Sequence, residues 1–193
     1  MEALLHEDKK FENVDHSEKE LSKREFLNCE FNNCNFSKSK LNSNDFMDCT
    51  FKGCNFSLAT LGSTGLKNCT FINCKLMGID FSVCNDLLFS ASFENCQLDF
   101  SSFFKKKMKK ASFIDCSIKE VDFAETDLSS AIFNNCDLQN ATFDRTILEK
   151  TDFRTARNYS FDPEINKMKK ARFSYTGLAG LLNKYNLDIE FDN

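Results

Sequence analysis

The chain has 193 residues with 41% hydrophobic content, 22 Phe, one Pro and six Gly. That is enough for one domain or two small ones, with too few glycines for a sandwich or barrel rich in tight turns. The net charge of −4 comes entirely from residues 1–20, where seven acids face three bases; residues 21–193 carry 22 acids and 22 bases, which excludes a uniformly acidic or basic surface. No run reaches the length of a membrane helix. The opening "MEALLHEDKK" has charges where a signal peptide needs an apolar stretch, so a cytosolic chain with reduced thiols is expected.

Along the chain one pattern returns. It begins "KKFENVDHS" (9–17), "CEFNNCNFS" (29–37), "CTFKGCNFS" (49–57) and "CTFINCKLM" (69–77). It continues through "ASFENCQLD" (91–99), "ASFIDCSIK" (111–119), "AIFNNCDLQ" (131–139), "TDFRTARNY" (151–159) and "ARFSYTGLA" (171–179). The step is 20 residues except for one of 22, and the third residue of all nine lines is Phe. Inside each twenty lies a period of five, with 27 large apolar centres at Leu21, Phe26, Phe31 and onward to Phe153. Two residues before most centres sits Cys, Ala, Ser or Thr.

A helix turns steps of five by about 140°, so no apolar face forms. A flat strand would flip faces at every odd step. The pattern works if the chain turns a corner every five residues, pointing one small and one large side chain inward. Asn, Asp or Gly precedes every cysteine except Cys84, which follows Val83, and these residues suit tight turns. Four sides make a coil, and about nine coils at about 4.8 Å give a rod on the order of 40 Å long.

The predicted elements follow in order. Residues 1–20 are an N-terminal capping segment and first coil, with His16 at a centre. Residues 21–84 form the first part of the helix. At 85–89, "NDLLF" absorbs two extra residues as a bulge, with Leu88 as the centre and Leu87 or Phe89 pushed outward; it reads either as a tolerated loop or as a contact site. Residues 90–176 form the second part, with an irregular segment at 158–170. In "FFKKKMKK" (103–110), Lys106 falls on a small inward position, so the coil distorts or the stem snorkels out. In "KEVDFAETD" (119–127), Glu120, Asp122, Glu125 and Asp127 lie outward as a candidate partner surface. Residues 177–193 are a cap and tail, with a short helix over 178–190 placing Leu178, Leu181, Leu182 and Tyr185 on one side.

All ten cysteines occupy the small inward position: Cys29, Cys34, Cys49, Cys54, Cys69, Cys74, Cys84, Cys96, Cys116 and Cys136. Zinc needs four convergent ligands, whereas these thiols run in parallel ladders separated by Phe. Ala91, Ala111, Ala131 and Ala141 share the position, so size is the common property and the thiols act as small hydrophobes. No metal or cofactor is expected. The two histidines, His6 and His16, both lie near the N-terminus, and there is no Gly-rich phosphate loop, so catalysis is not expected.

"ATFDR", "SSFFK", "AIFNN" and "TDFRT" resemble the consensus of the pentapeptide-repeat family over roughly residues 11–180. The resemblance implies a right-handed quadrilateral β-helix, an all-β solenoid with a short C-terminal helical cap. It also implies a homodimer joined through the C-terminal segment. The layout is similar to the quinolone-resistance members, rods that imitate B-form DNA and bind type II topoisomerases such as gyrase and topoisomerase IV. The neutral rod and the short insertion depart from that group, which tends to be acidic and to carry long loops. Two functions follow as expectations: a DNA mimic that binds a topoisomerase, or a general interaction scaffold with another protein partner. Neither involves direct contact with nucleic acid or membrane.

Overall fold

The structure is a computed structural model and describes residues 4–190; the outermost residues of the expected first and last segments lie outside that range. Ten short strands form one sheet: β1 Leu4–Glu7, β2 Lys10–Glu12, β3 Arg24–Leu27, β4 Glu30–Asn32, β5 Asp45–Met47, β6 Thr50–Lys52, β7 Gly65–Ile72, β8 Phe89–Glu94, β9 Ser112–Ile114 and β10 Ile132–Asn134. Every pairing is parallel. Residue n meets residue n+20 through β7, as in Phe31↔Phe51 and Phe51↔Phe71. The other two sides are closed by isolated parallel bridges such as Asn35↔Asn55 and Ser102↔Asp122. This is an all-β solenoid, as expected, of about seven turns rather than nine. Seven strands stack on the Phe side, from β2 to β10. The outermost Phe lines hold half-buried Phe11 and Phe173, because a terminal coil has a neighbour on one side only.

The corners explain the period. The residue two after each centre has positive φ without a break from Asp8 to Gly78, and again from Asn95 to Lys150. Asn28, Asp48, Asn68 and Asn135 are the turn formers expected there, and Val83 is absent from the set. Many other corners carry Lys, Ser or Glu, and two carry Leu58 (φ 59°) and Phe100 (φ 64°). A left-handed residue with a Cβ costs about 1–2 kcal/mol. The stacked backbone offsets that cost, as where Leu58 N–H donates to the Met77 carbonyl at 2.9 Å and Phe100 N–H to that of Lys119 at 2.9 Å.

Inside, the Phe centres stack coil upon coil. Rings 11, 31, 51 and 71 are spaced 4.8 Å apart, and 113 lies 4.9 Å from 133, nearly parallel in each case. The small positions pack between them. Each of the ten thiols lies 3.3–3.7 Å from the carbonyl oxygen of a centre residue one coil earlier, such as Cys54 to Phe31 and Cys116 to Phe93. Where Thr takes the position, its hydroxyl donates to the same kind of carbonyl, as in Thr126 to Phe103 at 2.8 Å.

The C-terminal cap is shorter than the 178–190 helix expected. It is two 3-10 turns, Thr176–Leu181 and Asn183–Tyr185, ended by Asn186 in the left-handed region. The close approach is possible because of Gly180: a Cβ there would overlap the Tyr159 carbonyl. Leu181 packs against the core, while Leu178, Leu182 and Tyr185 stay exposed. At the other end residues 4–20 form a coil, paired through β1 and β2.

Candidate interaction surface

The inward positions are filled by packing, so function rests on outward side chains and on the one break in the repeat. At the break, Asn85 starts a 3-10 turn over Asp86–Leu88, its side chain accepting from the Leu87 N–H at 3.0 Å. Leu87 is 94% exposed, as the expectation of an outward residue here allows. Phe89 does not face outward. It is buried and pairs in register with Leu66, taking the inward place expected of Leu88. Leu88 lies over Gly65, whose missing Cβ leaves it room. A bulge between the Leu66 and Cys69 rungs then restores the register, so that Cys69 meets Ala91. The ring of Phe89 fills the core better than Leu88 would, and the bulge lets the chain choose it.

Lys106 neither distorts its coil nor snorkels. Its side chain is 1% exposed. Its ammonium donates to the Cys84 carbonyl at 2.6 Å and to Asp86 Oδ1 at 2.5 Å, and it sits 5.3 Å over the Phe89 ring. The inserted turn thus supplies the carboxylate that the buried lysine requires. The rest of the lysine cluster divides. Lys105 reaches Glu125 at 3.6 Å and Lys109 reaches Asp127 at 3.4 Å, while Lys107 and Lys110 meet no carboxylate among the described residues.

The carboxylates of 120–127 do not form one face. Glu120 and Glu125 occupy successive corners, both with positive φ. Asp122 and Asp127 lie on the two sides those corners separate, each within a ladder bridge. Glu125 is shared by Lys105 and Arg145, the latter at 3.1 Å. Asp127 accepts from the Ser129 N–H and hydroxyl, and its carboxyl sits below its usual range: those bonds and Lys109 outweigh a partial burial that acts the other way. Neighbouring residues in sequence wrap around the rod; neighbours in space lie 20 apart.

The cysteines sit where the pattern placed them, all ten buried and none in a disulfide: Cys29, Cys34, Cys49, Cys54, Cys69, Cys74, Cys84, Cys96, Cys116 and Cys136. Even Cys29 and Cys34, which pack against the outermost coil, are each only 1% exposed. Their role goes beyond the apolar filling expected of them. The Cys29 thiol donates to the His6 carbonyl and the Cys34 thiol to the Phe11 carbonyl, each at 3.4 Å, so they tie the first coil to the second. The Cys34 N–H in turn donates to Cys54 Sγ at 3.4 Å. Ala at the same position fills the space but offers no such donor, which is why size alone did not reveal these bonds. Burial pushes the Cys49 and Cys84 thiols up to about 12, and Cys69 well above its ordinary value. Among the described residues, no group of three or more His, Cys, Asp or Glu is placed to hold a metal. His6 and His16 take centre positions in the first coil and stack on Phe26 and Phe36. Sequence reasoning missed the apolar corner residues Leu58 and Phe100, both exposed. The signal was available, since each falls two after a centre.

A family model described as "Pentapeptide repeat region" matches residues 87–157, and one described as "Pentapeptide repeats (8 copies)" matches 29–64 and 45–82. No curated protein matches. Among solved structures, HetL from the cyanobacterium Nostoc sp. strain PCC 7120 superposes with a TM-score of 0.57 at 14% identity, over 89% of this chain and 86% of that one. HetL is a pentapeptide repeat protein involved in regulating heterocyst differentiation. A trypsin-treated form of QnrB1, a plasmid-mediated fluoroquinolone resistance protein, gives a TM-score of 0.49 at 21% identity, over 98% of this chain and 100% of that one. At these identities the likeness is one of fold.

Proposed function

Because the chain belongs to the pentapeptide-repeat family, we propose that it is a non-enzymatic rod that acts by binding another protein along its outer faces. One observation carries this reading. Packing consumes the inward positions, cysteines included, and leaves the outward ones as regular polar ladders about 4.8 Å apart. Such a surface offers many weak, well-spaced contacts to a partner.

Binding to a type II topoisomerase as a DNA mimic is the specific form that the family resemblance implies. The dispersed, partly neutralised carboxylates of 120–127 favour the general form over this one. Supercoiling by gyrase and decatenation by topoisomerase IV, each with and without a quinolone, separate the two. An altered activity or drug response that disappears in a Glu120→Lys, Asp122→Lys, Glu125→Lys variant supports the mimic. No effect of the native protein at about micromolar concentration, where specific complexes form, removes it and leaves the general form. The general form is tested by photo-crosslinking from single outward positions. It predicts capture of one recurrent protein from positions sharing a face, and fails if no face gives one.

A further inference from the structure

The parallel register reveals a charge pattern that the linear sequence hides. One side of the rod carries β1, β3, β5 and the start of β7, and continues through the rungs Lys107↔Asp127↔Ile147↔Lys167. On its first three coils the outward positions and following corner hold Glu7, Asp8, Glu25, Asp45 and Asp48, with no base among them. None of these five joins an ion pair among the described residues; Asp8 and Asp48 accept only from Asn28 and Asn68 one coil on.

Beyond the insertion the sign reverses. Lys107, Lys109 and Lys110 share one coil, and Lys150 follows two coils later. The last rung and its flanks bring Lys167, Lys169 and Lys170, against only Asp127 and Glu149 in this half. Five acids less Lys67, which faces outward on the fourth coil, make −4 in the first half, and seven lysines less two acids make +5 in the second. Between the halves stands the inserted turn with Leu87 exposed at its tip, held by the pairing of buried Lys106 with exposed Asp86.

We propose that this side is a docking surface for a second copy of the chain, laid alongside in the opposite direction about a two-fold axis. A two-fold interface is self-complementary, and here it sets the acidic rung at Asp45 and Asp48 opposite the basic rung at 107–110 of the inverted copy. With the axis between the Gly65 and Leu88 rungs, Asp45 and Asp48 of each copy meet the lysines at 107–110 of the other. There they enter a cleft of about 340 Å³ lined by Lys107, Lys109 and Lys110 and by no carboxylate. The clefts at the next corner contain Asp115 and Asp137 instead. Leu87 then lies beside the axis, where it is covered. A side about 12 Å wide and about 35 Å long presents on the order of 400 Å² per copy, which places the contact in the small, transient class. It is held by charge and weakens steeply with salt.

Sedimentation velocity of the full chain, at about 20 mM and about 500 mM salt, tests this. The expected result is a dimer at low salt whose dissociation constant rises at least about tenfold at high salt. Asp45→Lys with Asp48→Lys, and separately Lys107→Glu with Lys110→Glu, each give monomers with native circular dichroism. An equimolar mixture of the two variants restores the dimer, because reversed acids meet reversed lysines. Should a charge-reversed variant fail to fold, Asp45→Asn with Asp48→Asn replaces the acidic set and Lys107→Gln with Lys110→Gln the basic one, each expected to lose the low-salt dimer. A Leu178→Ser, Leu182→Ser variant keeps the dimer. A native monomer at about 100 µM in low salt overturns the proposal. So does a dimer that survives both charge reversals, and so does one lost only in the Leu178, Leu182 variant, which assigns pairing to the C-terminal cap.

Discussion

A single lysine shows how position overrides residue type. Lys106 holds an inward place that is otherwise small, and it is tolerated because Asp86 and the Cys84 carbonyl meet its ammonium. Asp86→Ala, at a side chain 74% exposed, is therefore expected to destabilise the fold by about 2 kcal/mol in urea denaturation, since it leaves a buried charge short of a partner. Lys106→Met is expected to cost less, because it removes the charge and keeps the stem's volume. A larger loss for Lys106→Met than for Asp86→Ala would contradict the pairing. The cysteines are a different case, where the inward position keeps all ten thiols from solvent. In native protein, Ellman's reagent is expected to find none of the ten thiols reactive, and in denaturant all ten. Rapid labelling of Cys49 or Cys84 in the folded state would show that burial does not hold them.

Among elements, the first coil is the one with titratable centres. Burial, then Arg24, holds His6 below its ordinary pKa; burial, then Lys19 and Arg24, lowers His16 against a smaller opposing effect of Asp15. The His16 Nδ1 is buried without a partner. The unfolded chain takes up protons near pH 6.5, before the folded coil does. Stability from these residues is thus complete above that pH and is lost as pH falls from it toward the lowered folded values. Amide exchange, corrected for its intrinsic pH dependence, should show residues 4–19 opening faster at about pH 5.5 than at about pH 7.5, with β9 and β10 unchanged. Phe at both positions should abolish the difference, and an equal response in all coils would refute the assignment. The inserted turn makes a different point about elements. Its length was legible in the sequence and Leu87 was one of two candidates for the outward place, whereas the choice of Phe89 over Leu88 for the inward one depended on which side chain filled the space above Leu66.

At the scale of the whole molecule, a solenoid is held by contacts between adjacent coils, so position along the rod sets the cost of a change. Phe113 is fully buried, with rings 5.2 Å and 4.9 Å away on either side, whereas Phe11 stacks on Phe31 alone at 4.8 Å. Phe113→Ala is expected to cost about 3–5 kcal/mol, and Phe11→Ala about half of that or less, by equilibrium denaturation. Equal losses would mean that the coils do not act as a stack. The sequence by itself determined the coil, the corners and the burial of every cysteine, because a period of five leaves one arrangement that hides a small and a large side chain together. Only the tertiary structure decided the carbonyl partners of Cys29 and Cys34, the partner of Lys106, the inward turn of Phe89, the scattering of the 120–127 carboxylates and the two-signed side. Each of these depends on which residues 20 or more apart come to lie one coil apart, and that adjacency exists only once the chain has wound.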